Sequence, residues 1–126
     1  MPADHPVAEY WALIHEGLAA LNVDFAVVLR LEGMMRDAGF ANVTVHTFHI
    51  PIGVWPKNRV LKGVGLYWRE ILLLGAEPIA LGPLTRGLKW TREQVELYLV
   101  KVRKAYRDSC HSHMPLYIIC GQKPED

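Results

Sequence analysis

The chain predicts a mostly helical α+β fold: about five helices with a two-stranded antiparallel ribbon. Apolar residues recur at helical spacing through most of the sequence. One stretch, Phe40 to Ile50, instead alternates in the manner of a strand, and a short apolar run, Leu116 to Gly121, supplies a second. A length of 126 residues favours one domain spanning the whole chain.

Pro6 to Leu21 reads as the first helix. Asp4 is placed to cap it, and Pro6 sits in the first turn, where a missing N–H costs nothing. Val7, Tyr10, Trp11, Ile14, Leu18 and Leu21 form its apolar face. Asn22 and Val23 break it. Asp24 then caps a second helix, Phe25 to Ala38, whose apolar residues face more than one side and predict a well-buried element. Gly39 is its left-handed stop.

In the first strand Val43, Val45, Thr47 and His49 share one face, and Thr44, His46, Phe48 and Ile50 the other. A stiff loop with two prolines around Gly53 follows, Pro51 to Pro56. Asn58 to Gly75 reads as the third helix, with Val60, Leu61, Val64, Tyr67, Trp68, Ile71 and Leu72 on its buried side. Gly63 and Gly65 point to close packing or a kink there. Glu77 to Gly87 reads as a short helix or irregular turn. Thr91-Arg92-Glu93-Gln94 is a capping box that opens the last helix, with Val95, Leu99, Val102 and Tyr106 inward and basic residues near its C-terminal end. Asp108 to Pro115 reads as a loop before the second strand.

Composition excludes several roles. Hydrophobic residues make up 51% of the chain and charged residues 21%, which suits a packed core under a wet surface. A net charge of +1 without a basic run argues against nucleic-acid binding. The longest apolar runs are too short to span a membrane. The N-terminus lacks a basic segment followed by an apolar one, so no secretory signal is expected. Cys110 and Cys120 form no CxxC pair. They fit ordinary thiols in a reducing, cytoplasmic setting, with a disulfide as the less favoured alternative.

Three pieces occur in one order: Met35-Arg36-Asp37-Ala38-Gly39-Phe40-Ala41-Asn42-Val43; Pro51-Ile52-Gly53-Val54-Trp55-Pro56-Lys57 with Lys62 and Gly65; and Arg86-Gly87-Leu88-Lys89-Trp90-Thr91-Arg92-Glu93-Gln94-Val95, followed by Val102-Arg103, His111, Gly121 and Lys123-Pro124. On these, nearly the whole chain from about Pro6 resembles the C-terminal half of the class I SAM-dependent methyltransferases of fungal secondary metabolism, the LaeA-like group. The "PIGxWPK" loop combined with the "GLxWTxEQV" helix and the "GxKP" end carries most of the specificity. The resemblance implies a Rossmann-like sheet of which only the last two strands remain. Such a sheet holds SAM on a glycine-rich turn after its first strand, with an acidic residue after the next. No stretch here has that turn, and the close pair Gly63 and Gly65 lies inside a helical pattern. His113 stands where the group has an aromatic residue. A truncated domain of this kind is expected to bind no cofactor. Its open strand edge and apolar helices predict a homodimer, the rival being a fragment completed elsewhere.

Among candidate chemical groups, His46 and His49 point to opposite faces of a strand and are poor co-ligands. His111 and His113 have no evident third partner, so no metal site is expected. His49, His111, His113 and Glu70 are the candidates for proton transfer, against plain surface or structural roles. Trp55, Tyr67, Trp68 and Trp90 are the candidates for an aromatic wall around a small-molecule substrate, against ordinary core packing. Three function classes follow. The first is a SAM-independent cyclase or isomerase of secondary metabolism, working by shape and acid/base groups. The second is a methyltransferase fragment or subunit that needs a partner for SAM. The third is a non-catalytic regulatory or binding partner.

Overall fold

The computed structural model describes residues 4–108 and 111–125. The expected thiol at Cys110 lies outside the described residues, and Cys120 is free and exposed. The elements are α1 (Pro6–Ala20), a 3-10 turn (Val27–Arg30), α2 (Leu31–Asp37), β1 (Ala41–Ile52), α3 (Arg59–Gly82), a π-type turn (Pro83–Gly87), α4 (Arg92–Asp108) and β2 (Ser112–Gln122). The two strands pair antiparallel, from Ala41 opposite Gln122 to Ile52 opposite Ser112, with an irregularity between Ala41 and Thr44. The mostly helical α+β class with a two-stranded ribbon is therefore the observed one.

Local chemistry sets most element ends. Thr91 and Gln94 form the capping box reciprocally: the Gln94 N–H donates to Thr91 Oγ1 at 3.1 Å, and the Thr91 N–H donates to Gln94 Oε1 at 2.8 Å. Asn58 Oδ1 accepts from the N–H groups of Val60 and Leu61. Gly39 takes φ +96°, and the N–H groups of Gly39 and Phe40 close α2 on the carbonyls of Arg36 and Met35. Asp24 does not cap a helix: its Oδ1 accepts from the Ala26 N–H in a local turn just before the 3-10 turn, which has no side-chain cap. At α1 the cap is His5, whose Nδ1 accepts from the Val7 N–H at 3.2 Å, rather than Asp4.

The core lies between α1, α3 and α4. It contains Val7, Tyr10 and Ile14 from α1, Leu72, Leu73, Ala76 and Ala80 from α3, and Val95, Leu99, Val102 and Tyr106 from α4, closed by Ile52 and Leu84. Fully burying a side chain such as Leu99 or Ile14 contributes about 1.5–3 kcal/mol. The Tyr10 hydroxyl donates to the Ala76 carbonyl at 2.9 Å, so this phenol is satisfied inside the core.

Four expectations need correction. The segment 77–87 is not a separate element at its start: α3 runs unbroken through Pro78 to Gly82. Pro78 is on the exposed side, and Leu74, whose carbonyl loses its N–H partner to the proline, is 81% exposed, so water can replace that bond. The N-terminal half of α3 does not bury the stripe predicted for it. Val60, Tyr67 and Ile71 face solvent, while Gly65, Leu72, Ala76 and Ala80 define the buried line. The predicted second helix, Phe25 to Ala38, is instead a turn, the 3-10 turn and the short α2, and it is open, with Phe25, Leu29 and Met34 exposed, because the ribbon beside it covers only one side. Finally, β2 begins at Ser112, four residues before the predicted start at Leu116, so His113 and Pro115 are strand residues opposite Pro51 and His49. A proline is tolerated at both places because each strand of a two-stranded ribbon is an edge.

Two predictions come from this packing. A Cβ on Gly65 would run into the Gly53 carbonyl oxygen, whereas one on Gly63 meets nothing within 4 Å. In urea unfolding, Gly65→Ala is expected to lose about 3 kcal/mol. Gly63→Ala, two residues away in the same helix, is expected to gain about 0.5–1 kcal/mol. The second concerns alkaline pH. Burial pushes the Tyr10 phenol up to about 12, with Arg103 pulling it back slightly. Burial and the Glu9 carboxylate likewise raise Tyr98. The unfolded chain releases these protons first, near pH 10. The Tyr10 contribution is thus intact below pH 10 and is lost as pH rises through about 12. Unfolding free energies measured from pH 9 to 12 are expected to fall steeply, and less steeply in Tyr10→Phe.

Candidate functional site

The end of β1 and the loop after it build one wall of a cleft. Pro51, Ile52, Gly53 and Pro56 are buried, and Gly53 adopts φ +99°, a conformation that glycine enters without steric cost. The Gly53 N–H donates to the Gly65 carbonyl of α3 at 2.9 Å, which pins the loop to the helix. Trp55 is thereby directed toward the start of β2, where its Nε1–H donates to the Ser112 carbonyl at 3.1 Å. His111, the residue before β2, lays its ring along Trp55, with centroids 5.7 Å apart and planes at 24°.

Two further elements complete the cleft. α4 ends there with Tyr106, Arg107 and Asp108, and α3 contributes Arg69; with Gly53, Val54, Trp55 and His111 these residues enclose about 210 Å³. Tyr106 is buried, and its hydroxyl accepts from Trp11 Nε1–H at 2.9 Å. Arg69 Nε is buried and has no hydrogen-bond partner among the described residues. The cleft therefore combines an aromatic wall, two guanidinium groups, one carboxylate and one imidazole.

The residues singled out from the sequence fall in four places. Trp55 and His111 meet in the cleft. His49 and His113 meet on the ribbon instead, edge to face, with ring centroids 4.7 Å apart, and both are exposed. Glu70 and Tyr67 are exposed on α3. Trp68 packs against the helical core with its Nε1 buried, and Trp90 packs edge-on against Tyr98 at 5.5 Å. Among the described residues no three His, Cys, Asp or Glu side chains gather as a metal site.

Arg69, Tyr106, Arg107 and Asp108 were not singled out. Arg69 reads as part of a solvated face beside Glu70, and Tyr106 as one more inward residue of α4. A signal was present only in the helix end: α4 stops three residues before His111, so its last turn had to lie near that imidazole.

A second concavity is larger and apolar. About 580 Å³ lie between Trp11, Phe25, Val28 and Ile79 on one side and Met114 to Tyr117 of β2 on the other. No helix among the described residues is long and apolar enough to cross a membrane.

Comparison with known proteins places the chain beside fungal methyltransferases. It is 36% identical over 95 residues to the methyltransferase pytC of Aspergillus terreus, covering 75% of this chain and 29% of that protein. It is 25% identical over 122 residues to the probable methyltransferase tdiE of Emericella nidulans, covering 96% of this chain and 38% of the relative. It is 22% identical over 130 residues to the secondary metabolism regulator LAE1 of Cochliobolus heterostrophus, covering 99% and 41%. The chain thus spans well under half the length of the curated relatives it matches. No protein-family model matches it. No solved structure matches it.

The geometry separates two substitutions that look equally plausible on the sequence. Trp55→Phe removes the bond to the Ser112 carbonyl and is expected to cost about 1 kcal/mol in urea unfolding. Glu70→Gln, on an exposed face, is expected to stay within about 0.5 kcal/mol of the parent in the same measurement.

Proposed function

We propose, from the chain's kinship with the fungal LaeA-like methyltransferases, that it is a truncated methyltransferase-like domain of secondary metabolism. In this reading the cleft of Trp55, Arg69 and His111 holds a small-molecule substrate, and another chain completes the sheet. The observation that carries it is the state of the ribbon. Val45, Phe48, Leu116 and Ile118 are exposed along it, and the apolar groove runs beside it. A two-stranded ribbon is marginal by itself in water, and its bare edges seek pairing. A second copy related by a two-fold axis can supply both the strand and the apolar cover, so the assembly is a homodimer. Its setting is the cytosol.

Methyl transfer in this reading needs SAM held on a glycine-rich strand–turn outside these 126 residues, which contain no such turn. A second reading is favoured by one observation: His111, Asp108 and Arg69 share the cleft with Trp55. An imidazole and a carboxylate can move a proton, and a guanidinium can stabilise the anion that results. Those groups suffice for a SAM-independent cyclisation or isomerisation of a small metabolite.

Calorimetric titration of the purified chain with SAM, beside its mass by light scattering, tests the shared premise. No heat of binding and a dimer mass are expected. SAM binding by the chain alone would refute the dependence on another chain, and a stable, monodisperse monomer would refute the pairing. Turnover of a polyketide-like substrate without SAM would then select the second reading. Methyl transfer that appears only after a SAM-binding chain is added would select the first.

A further inference from the structure

The cleft has a chemical character more specific than "small molecule". Arg69 Nε is an N–H donor buried at its wall without a partner among the described residues. Leaving such a donor unmatched costs about 1–3 kcal/mol, more for a charged group, so an acceptor arriving there recovers that cost. Arg107 lines the same cleft from the last turn of α4, and neither arginine is engaged in an ion pair among the described residues. Against these two cations stands one carboxylate, Asp108, so the cleft is net positive before His111 is counted. Its volume of about 210 Å³ is below the roughly 300–1,000 Å³ of pockets for drug-sized ligands, which limits the occupant to about one ring. The indole of Trp55, 39% exposed, offers a flat face to such a ring.

We propose that this cleft is a binding site for a small planar organic anion, an aromatic carboxylate of about one ring, with Arg69 and Arg107 on its carboxylate and Trp55 against its ring. Guanidinium is the group best matched to a carboxylate, because its planar fork of N–H donors meets both oxygens. The inference rests on the reading of this cleft as the substrate site and names the class of substrate it takes.

The test compares benzoate with benzamide, which has the same ring and shape but no charge. Each is titrated into the purified full chain while the indole Nε1–H and arginine Nε–H signals are followed by 15N NMR. Benzoate is expected to move the Trp55 and Arg69 signals and to bind at least about tenfold more tightly than benzamide. Arg69→Gln and Arg107→Gln are each expected to weaken benzoate about tenfold and to weaken benzamide, whose neutral carbonyl is the poorer acceptor, by no more than about twofold. Arg107 is exposed, so its variant keeps the test informative if Arg69→Gln fails to fold. Equal binding of the two probes at Trp55 would overturn the anion site while leaving the cleft as a substrate site. Movement of Trp11 in the apolar groove with none at Trp55 or Arg69, or no binding at all, would overturn both.

Discussion

The contact on which the rest of this structure depends is the backbone approach of Gly53 to Gly65. Without side chains at either position, the loop after β1 can lie directly on α3, and the Gly53 N–H reaches the Gly65 carbonyl at 2.9 Å. That contact drives Ile52 into the helical core and turns Trp55 toward Ser112. The start of β2 is then held opposite Ile52, and the register of the ribbon follows from there. A second contact of the same kind seats α1 on the turn after α3, where Gly17 and Gly87 meet backbone to backbone. Close-packed interiors tolerate no spare atom at such places.

The same constraint explains why the molecule is unevenly covered. α3 is longer than the elements that pack on it. Its C-terminal half is wedged between α1 and α4, while Val60, Tyr67 and Leu74 face outward. The ribbon is tied at one end by Ile52 and Ser112 and at the other by Met35 and Phe40 against Gly121, with its middle open to water. Segments with exposed backbone bonds and few buried neighbours open most readily. The ribbon's open middle is therefore expected to open more readily than the helical core.

The cleft is a product of remote parts of the chain, residues 53–55, Arg69, residues 106–108 and His111, brought together by the ribbon's anchored end. Its electrostatics come from groups that do nothing for the core. Arg69 and Arg107 remain outside the helix-surface ion pairs formed by Arg36 with Glu32 and by Arg92 with Glu96. Exposed pairs of that sort contribute little to stability, so two arginines kept apart from them stay available to a ligand.

The sequence by itself determined the element types and most of their ends. The Thr91 capping box, the Asn58 cap and the Gly39 stop are short-range chemistry, complete within a few residues. The inward line of α4 and the alternation in β1 are equally local, and so is the resemblance carried by the Pro51–Lys57 loop. Tertiary structure alone decided which apolar stripes are covered. Val60, Tyr67 and Ile71 have the spacing of a buried face, but burial depends on what lies opposite, and Gly65 turned another line of α3 inward. It also decided the site. Trp55 and His111 were visible as residue types, yet only the docking of the Gly53 loop brought them together, left His49 and His113 paired on the ribbon, and set Arg69 and Arg107 beside an indole. Periodicity reports the local path of the chain, whereas a cleft exists only once distant parts of that path meet.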